Sequence, residues 1–339
     1  MPRCWRPSWR WRLNLHRSKE ITIAEIAQEA GVGIATVSRV INGGTNVHKK
    51  TMAKVLAVIK HHNYNPNTAA RKLSKRTFID QSLGILIPKM MNQFFFELIK
   101  AITEVLREYD YNILIYNTER VGRSVFEHIV SEDLPGLFVF GDPPMEPHEK
   151  ELIVKRNIPY IYLDHHSPND NYVAFDHCLG GALAARYLLS RERKRITFIG
   201  KSEGHQQQAE RLRGFNEELR SNGVDKISEI YLPDLNLGYP MSKELFRQGL
   251  TDGLFIFSDV MAYSCLQAKA ELRSDVSIIG YDDIFPSRYL GLSTIRQSVE
   301  MLARTGVESL IGMIEKRYEL NELEPVQIIL KPELIDRGS

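Results

Sequence analysis

Between Ile23 and Ile59 the apolar residues recur at helical spacing. Ile23, Ile26, Ala27 and Ala30 share one face, and Thr22 with Glu25 three residues on has the spacing of a capping box. Gly31 ends that helix; a second is predicted over 34–41, stopped by Asn42-Gly43-Gly44. A third is predicted over 48–62, with Met52, Val55, Leu56 and Ile59 inward. Asn65-Pro66-Asn67 breaks it, and the helix-forming run 68–73 is too short to hold alone. Beyond Gln81 the pattern alternates. Strand-like runs at 83–87, 112–116, 136–140, 160–163, 196–199, 253–257 and 276–280 are separated by helical runs at 94–109, 125–131, 148–156, 179–191, 207–222 and 261–272, with a last helix at 299–320. Such alternation predicts parallel sheets covered on both faces, and two doubly wound lobes suit it better than one barrel.

Charge divides the chain at the same place. Residues 1–76 hold 15 Lys and Arg against 3 Asp and Glu, a net of +12, while the remainder holds 29 against 39, a net of −10. A basic head on an acidic body fits a polyanion-binding domain joined to a domain with another task. Residues 1–18 carry five arginines and all three tryptophans (Trp5, Trp9, Trp11) without helical or strand period, and read as a disordered extension or as sequence ahead of the true start. Even without them, 19–76 keeps a net of +7. No apolar run reaches the ~18–20 residues of a membrane helix, and no apolar stretch follows the cationic start as a secretory signal requires. Three cysteines (Cys4, Cys178, Cys265) lie too far apart for a metal or disulfide pattern, so a reducing cytoplasm is expected.

Ala27, Gly31 and Val37 set the spacing A-x3-G-x5-V. A small residue lets two helices cross closely, glycine gives the turn a positive φ, and valine seals the contact. This holds the second helix out for the major groove of DNA.

With these residues the chain resembles the LacI/GalR family. The headpiece likeness lies in 22–27, Gly31-Val32 and 35–42, and the hinge likeness in Tyr64 through Leu73. It continues through 92–102, 176–188, 210–215, 258–262 and 276–283, nearly everything after residue 20. The resemblance implies a helix-turn-helix headpiece followed by two doubly wound α/β lobes of periplasmic-binding-protein type. It divides the chain into the extension 1–18, a DNA-binding domain 19–64, a hinge 65–80 and an effector-binding and dimerisation domain 81–339. The first lobe would take 81–174 and 296–324, and the second 175–292 and 325–339. By the same resemblance Ile34 and Ala35 meet thymine methyls at the start of the recognition helix, Thr36, Ser38 and Arg39 follow, and Arg39 reads a guanine or holds a phosphate. Thr22, Asn42, Asn46, Lys49, Lys50 and Thr51 are implied DNA contacts, mostly to phosphates; His48 stands where the family often has a serine N-cap. Tyr64, Asn67, Ala70 and Leu73 are hinge contacts. Leu73, flanked by basic residues, is an apolar wedge for the minor groove. Two headpieces on symmetric half-sites imply a homodimer, with a tetramer left open.

For the body, the resemblance implies a small ligand, sugar-like or nucleobase-like, at strand ends between the lobes. Its implied contacts are Phe94 and Phe95 for ring stacking, Arg211 for a fork across two hydroxyls or a carboxylate, and Asp164 and Asp259 as acceptors. Each has a plainer alternative: core packing for Phe95, a surface arginine for Arg211, a helix cap for Asp259, a loop residue for Asp164. Asp282-Asp283 matches a family signature that is more often structural. Gln93 replaces the usual proline. Catalytic and cofactor motifs are missing from the sequence (no G-x-S-x-G, H-E-x-x-H, P-loop or G-x-G-x-x-G), and the adjacent His165-His166 is a poor metal pair. The expectation is a non-enzymatic regulator with no cofactor, no metal and no membrane partner. The alternatives are a solute-binding protein without a DNA role, a regulator that has lost its effector, and an enzyme on the same fold.

Overall fold

The computed structural model describes residues 22–41, 47–62, 82–87, 93–117, 125–132, 134–140, 145–202, 204–316 and 324–339. The 1–18 extension, the hinge segment 65–80, and the implied DNA contacts Asn42, Asn46, Tyr64, Asn67, Ala70 and Leu73 lie outside the described residues. The chain forms two compact units, 1–77 and 78–339.

The first unit contains α1 (Ile23–Ala30), α2 (Ile34–Ile41) and α3 (Lys49–His61). Thr22 caps α1 through a capping box: its hydroxyl accepts from Glu25 N–H at 3.3 Å, and Glu25 Oε2 accepts from Thr22 N–H at 2.7 Å. Gly31 ends α1 at φ 67°, a conformation costly for other residues. Ile26, Ala27, Ala30, Val37, Val40 and Val55 form the core, with Met52, Val58 and Ile59 packed against it. Leu56, expected inside, is 49% exposed within this unit. Val58 takes the inward place because α3 turns its apolar stripe toward α1 and α2. His48 precedes α3 without a side-chain cap bond.

The second unit holds two parallel-rich sheets. In chain order its elements are β1 (Ser82–Ile87), α4 (Gln93–Leu106), β2 (Asn112–Asn117), α5 (Val125–Glu132), β3 (Leu137–Phe140), α6 (Pro147–Lys155), β4 (Tyr160–Leu163) and β5 (Tyr172–Phe175). Then follow α7 (His177–Leu189), β6 (Ile196–Lys201), α8 (Gln206–Ser221), β7 (Ser228–Leu232), α9 (Gly238–Arg247), β8 (Gly253–Ile256), α10 (Asp259–Leu272), β9 (Ser277–Asp282), α11 (Phe285–Tyr289), β10 (Ser293–Arg296), α12 (Val299–Glu315), β11 (Gln327–Leu330) and β12 (Glu333–Ile335). The sheet orders are β11-β5-β4-β3-β1-β2 and β12-β10-β9-β8-β6-β7. All described pairings are parallel except β10 with β12. Apolar clusters lie on both faces of each sheet, which is why the strands read as unbroken apolar runs.

The chain passes between lobes after β5, after β10 and after β11. The last passage differs from the sequence expectation, which placed 325–339 in the second lobe. Gln327–Leu330 pairs with β5 in the first sheet, where Ile328 and Leu330 pack on the first core. Only β12 and the residues after it belong to the second. Strands β5, β7, β10, β11 and β12 and helices α9 and α11 were also not foreseen. β7 is a mostly exposed edge strand, and α9 begins Gly-Tyr-Pro, which reads as a turn although proline is tolerated in a first helical turn.

Helices α7 and α8 cross at glycines. A Cβ on Gly181 would sit 1.9 Å from the Arg211 carbonyl oxygen, and one on Gly214 would sit 1.9 Å from that of Cys178. These glycines set how deeply α8 seats. Gly181→Ala is therefore expected to cost about 3 kcal/mol, by backbone overpacking, in urea denaturation of the second unit. An unchanged urea midpoint would contradict the close crossing.

Candidate functional site

The first unit presents one face of α2. Ile34 is 52% exposed, Ala35 and Arg39 are exposed, and Thr36 and Ser38 are half-buried, while Val37 and Val40 point into the core. Ile34 is thus not part of this unit's core. Thr22 is exposed at the start of α1, with its hydroxyl engaged by Glu25. At the start of α3, Lys50 is exposed and Thr51 is half-buried with its N–H on the His48 carbonyl at 2.9 Å. Lys49 is the first residue of that helix. An exposed helix beginning with small and apolar side chains, followed by an arginine, offers methyl contacts and a guanidinium fork to a groove edge.

In the second unit, polar side chains converge where strands of both sheets end. Arg211, on the first half of α8, is 5% exposed. Its guanidinium lies over the Tyr281 ring at 3.7 Å, donates from Nη1 to the Phe257 carbonyl at 2.6 Å, and directs Nε toward His177 Nδ1 at 3.4 Å. Nη2 stands 3.8 Å from Asp282 Oδ1. The surface-arginine alternative for Arg211 is excluded. Asp164, just past β4, has φ 60° and a carboxylate 3.3 Å from His177 Nε2. Asp164 Oδ1, His177 Nε2 and Gln297 Oε1 are buried atoms that make no hydrogen bond among the described residues. The 3.3 Å contact lacks the alignment of a hydrogen bond. The lobes also meet directly here: Gln207 Nε2 donates to the Asp164 carbonyl at 2.7 Å, His166 Nε2 stands 3.1 Å from Glu210 Oε1, and Phe285 N–H donates to Glu97 Oε1 at 3.0 Å.

Two sequence assignments are corrected. Phe94 is 4% exposed and part of the first-lobe core, because the first turn of α4 faces its own sheet. Phe95 is half-buried and stacks on Phe140 with ring centroids 5.8 Å apart, so it is packed at the cleft-side end of the lobe. Asp259 is wholly buried inside the second lobe. It is the first residue of α10, with Ser258 at the cap, and its carboxylate accepts from Thr294 Oγ1 at 2.6 Å, Ser287 Oγ at 2.5 Å and Ile284 N–H at 3.2 Å. Wholly buried with three donors already on it, it is not available to a ligand in the cleft.

Reading the sequence set Asp282 aside as more often structural and missed His177, Gln297 and the α8 glutamines. The signal was present: Asp282 ends β9, and His177 and Gln297 each follow a passage between lobes, where ligand sites gather in such folds. Burial holds the Asp282 carboxyl well above the usual range, to about 7, against the opposing pull of Arg211, with Asp164 adding to the rise. A carboxyl so placed exchanges its proton near neutrality and can donate as well as accept.

An exposed helix-turn-helix joined to a two-lobed body with a polar cleft defines a DNA-binding regulator of the periplasmic-binding-protein type. Comparison with known proteins agrees. The family described as bacterial regulatory proteins, lacI family, matches residues 22–67, and the periplasmic binding protein-like domain matches residues 185–339. The ribose operon repressor of Bacillus subtilis is 30% identical over 308 residues, covering 87% of this chain and 92% of that protein. Among solved structures, the lac repressor dimer bound to operator and an anti-inducer superposes with a TM-score of 0.74 at 22% identity, covering 94% of this chain and 99% of that one. A lacI-family regulator from Enterococcus faecium with bound ribose gives 0.67 at 23% identity, covering 76% and 97%. The chain belongs to the lacI family and is a DNA-binding transcriptional regulator. No helix among the described residues is long and apolar enough to cross a membrane.

Proposed function

We propose that this chain is a cytoplasmic, non-enzymatic repressor that grips a palindromic operator as a homodimer and releases or tightens it when a small polyhydroxyl or nucleobase-like ligand enters the cleft. The carrying observation is the convergence of Arg211, His177, Asp164, Asp282 and Gln297 at the strand ends of both lobes, with three buried polar atoms unsatisfied. Each such atom costs about 1–3 kcal/mol until something meets it. A ligand bonded to both lobes biases their closure and, by linkage, the operator affinity. Since a relative is named for a ribose operon and a similar structure holds ribose, D-ribose is the first probe.

On DNA, Ile34, Ala35, Thr36, Ser38 and Arg39 read the major groove; Thr22, Asn42, Asn46, Lys49, Lys50 and Thr51 hold the backbone. Tyr64 and, in the hinge 65–80, Asn67, Ala70 and Leu73 contact the DNA beside the partner's copies, with Leu73 as the wedge in the minor groove. Phe285, Tyr289 and Leu290 around α11 and Phe96 on α4 are exposed large apolar residues, and Phe285 is tied to the residue after Phe96. A patch of this kind is suited to burial against a second copy.

The test is footprinting of the purified chain on genomic fragments at low salt. Protected palindromes are expected, with occupancy shifted by D-ribose or by a nucleobase from a small panel. Leu73→Ala is expected to weaken specific binding about tenfold, a loss of wedge contacts of ~1.4 kcal/mol, and to reduce DNA bending. Unprotected palindromes would sink the operator reading, and undiminished bending would remove the wedge.

A further inference from the structure

The cleft carboxylate Asp282 stands on strained backbone. It has φ 115° and the next residue, Asp283, has φ 57°. Two successive non-glycine residues with positive φ cost of order 1–3 kcal/mol each, and persist only where their surroundings over-determine them. Those surroundings are identifiable. Gln297 holds Asp282 from one side, donating from Nε2 to its Oδ1 at 2.9 Å and from its backbone N–H to the Asp282 carbonyl at 3.3 Å. Asp283 is held from the other side by two arginines. Arg296 Nε donates to Oδ2 at 2.8 Å, and Arg337 Nη2 lies 2.7 Å from Oδ1 as an ion pair without the alignment of a hydrogen bond. The Asp283 side chain is 6% exposed, and is turned away from the Arg211 cluster by the same backbone geometry that turns Asp282 toward it.

Arg337 is itself braced. Its Nη1 donates to the Leu292 carbonyl at 2.7 Å, and its backbone N–H to Ser293 Oγ at 2.9 Å. It follows β12, whose antiparallel register with β10 pairs Ile335 with Thr294 and Glu333 with Arg296. Ser339 extends the brace: its hydroxyl donates to the Ile278 carbonyl at 2.6 Å and accepts from Ser293 N–H at 2.8 Å. The last strand and the residues after it thus tie down the starts of β9 and β10, and through the Arg337 guanidinium the residue that follows β9.

From this geometry we propose that Arg337 is a positioning residue for the effector site. Acting through Asp283, it locks the strained end of β9 so that the Asp282 carboxylate faces Arg211 and the cleft. Its own polar partners are Leu292, Ser293 and Asp283, outside the Arg211 cluster. The proposal rests on the reading of Asp282 and Arg211 as effector contacts, and gives the segment after β12 a functional role beyond closing the sheet. Without Arg337 one oxygen of a buried carboxylate loses its cation, Asp283 relaxes toward negative φ, and Asp282 swings off Arg211 into water.

The test uses the full chain with carboxyl-13C aspartate, the Asp282 resonance being assigned by its loss in Asp282→Asn. In the parent, Asp282 is expected to titrate near 7. In Arg337→Gln it is expected to fall by roughly one unit or more toward the solvated range. Arg337→Lys, which keeps a cation but not the fork, is expected to fall in between, and Asp283→Asn to act as Arg337→Gln does. A merely structural arginine would lower the melting temperature and leave the Asp282 titration in place. Should Arg337→Gln not fold, Arg337→Lys and Asp283→Asn decide by the same measurement. An Asp282 titration unmoved in the folded variants overturns the proposal. The underlying reading fails separately, if Arg211→Ala responds to D-ribose and to the nucleobase panel as the parent does.

Discussion

Arg211→Ala abolishes the effector response while leaving operator affinity without effector within about twofold: this is the largest functional change expected from one substitution. The guanidinium is buried, stacked on Tyr281 and anchored to the Phe257 carbonyl, so its remaining donors are preorganised for whatever enters between the lobes. Charged hydrogen bonds contribute about 1.5–3 kcal/mol each, and ~3 kcal/mol is about a hundredfold in affinity. Removal also leaves Asp282 without its nearby cation, which favours the neutral acid and lowers its use as an acceptor. The measurement is operator binding by fluorescence anisotropy across an effector titration, with the parent alongside. A response midpoint within threefold of the parent would show that the ligand is held elsewhere. Operator affinity is expected to hold because the headpiece core, Ile26, Val37 and Val55 among it, is a separate cluster.

The largest loss of stability is expected at Asp259. Its carboxylate collects the Thr294 and Ser287 hydroxyls and the Ile284 N–H, joining α10, β10 and the turn before α11 at one buried point. Asp259→Ala leaves these donors without an acceptor and is expected to cost about 3 kcal/mol, lowering the melting temperature by roughly 6–10 °C for a domain of this size. The penalty depends on pH with a definite sign. Burial, with Asp282 adding, raises the folded pKa above that of the unfolded chain, so folding favours the neutral acid. The contribution of Asp259 is complete below about pH 4 and is lost as pH rises through the folded value. Asp259→Ala should therefore cost more at pH 5 than at pH 8 in urea denaturation. A penalty growing with pH would mean that the buried group is carried as a carboxylate.

These two positions also show what could be read in advance. Arg211 and Asp259 were both singled out by the family resemblance. Arg211 lies among the polar side chains gathered at the strand ends, whereas Asp259 is enclosed within the second lobe. The difference lies in donors brought from residues 284, 287 and 294, at sequence separations of 25 to 35, which no local pattern reports. Phe94 and Phe95 adjoin in sequence, yet one is core and the other stacks at the cleft-side end, because a helix turns 100° between them.

Local chemistry in the chain determined the headpiece and the class of fold. The capping box at Thr22, the positive φ at Gly31, the inward Val37, the basic balance of 1–76 and the strand-helix alternation beyond 81 act over a few residues, or add up along the chain, and can be read without coordinates. Tertiary structure decided the cleft. Asp164, His177, Arg211, Asp282 and Gln297 come from five different strand ends or crossings, and the passage after β11 fell at residue 331 because Ile328 and Leu330 needed the first core. Periodicity records which face of an element is apolar, whereas a polar site is assembled by the ends of elements, whose meeting depends on sheet order and on packing between residues far apart in the chain.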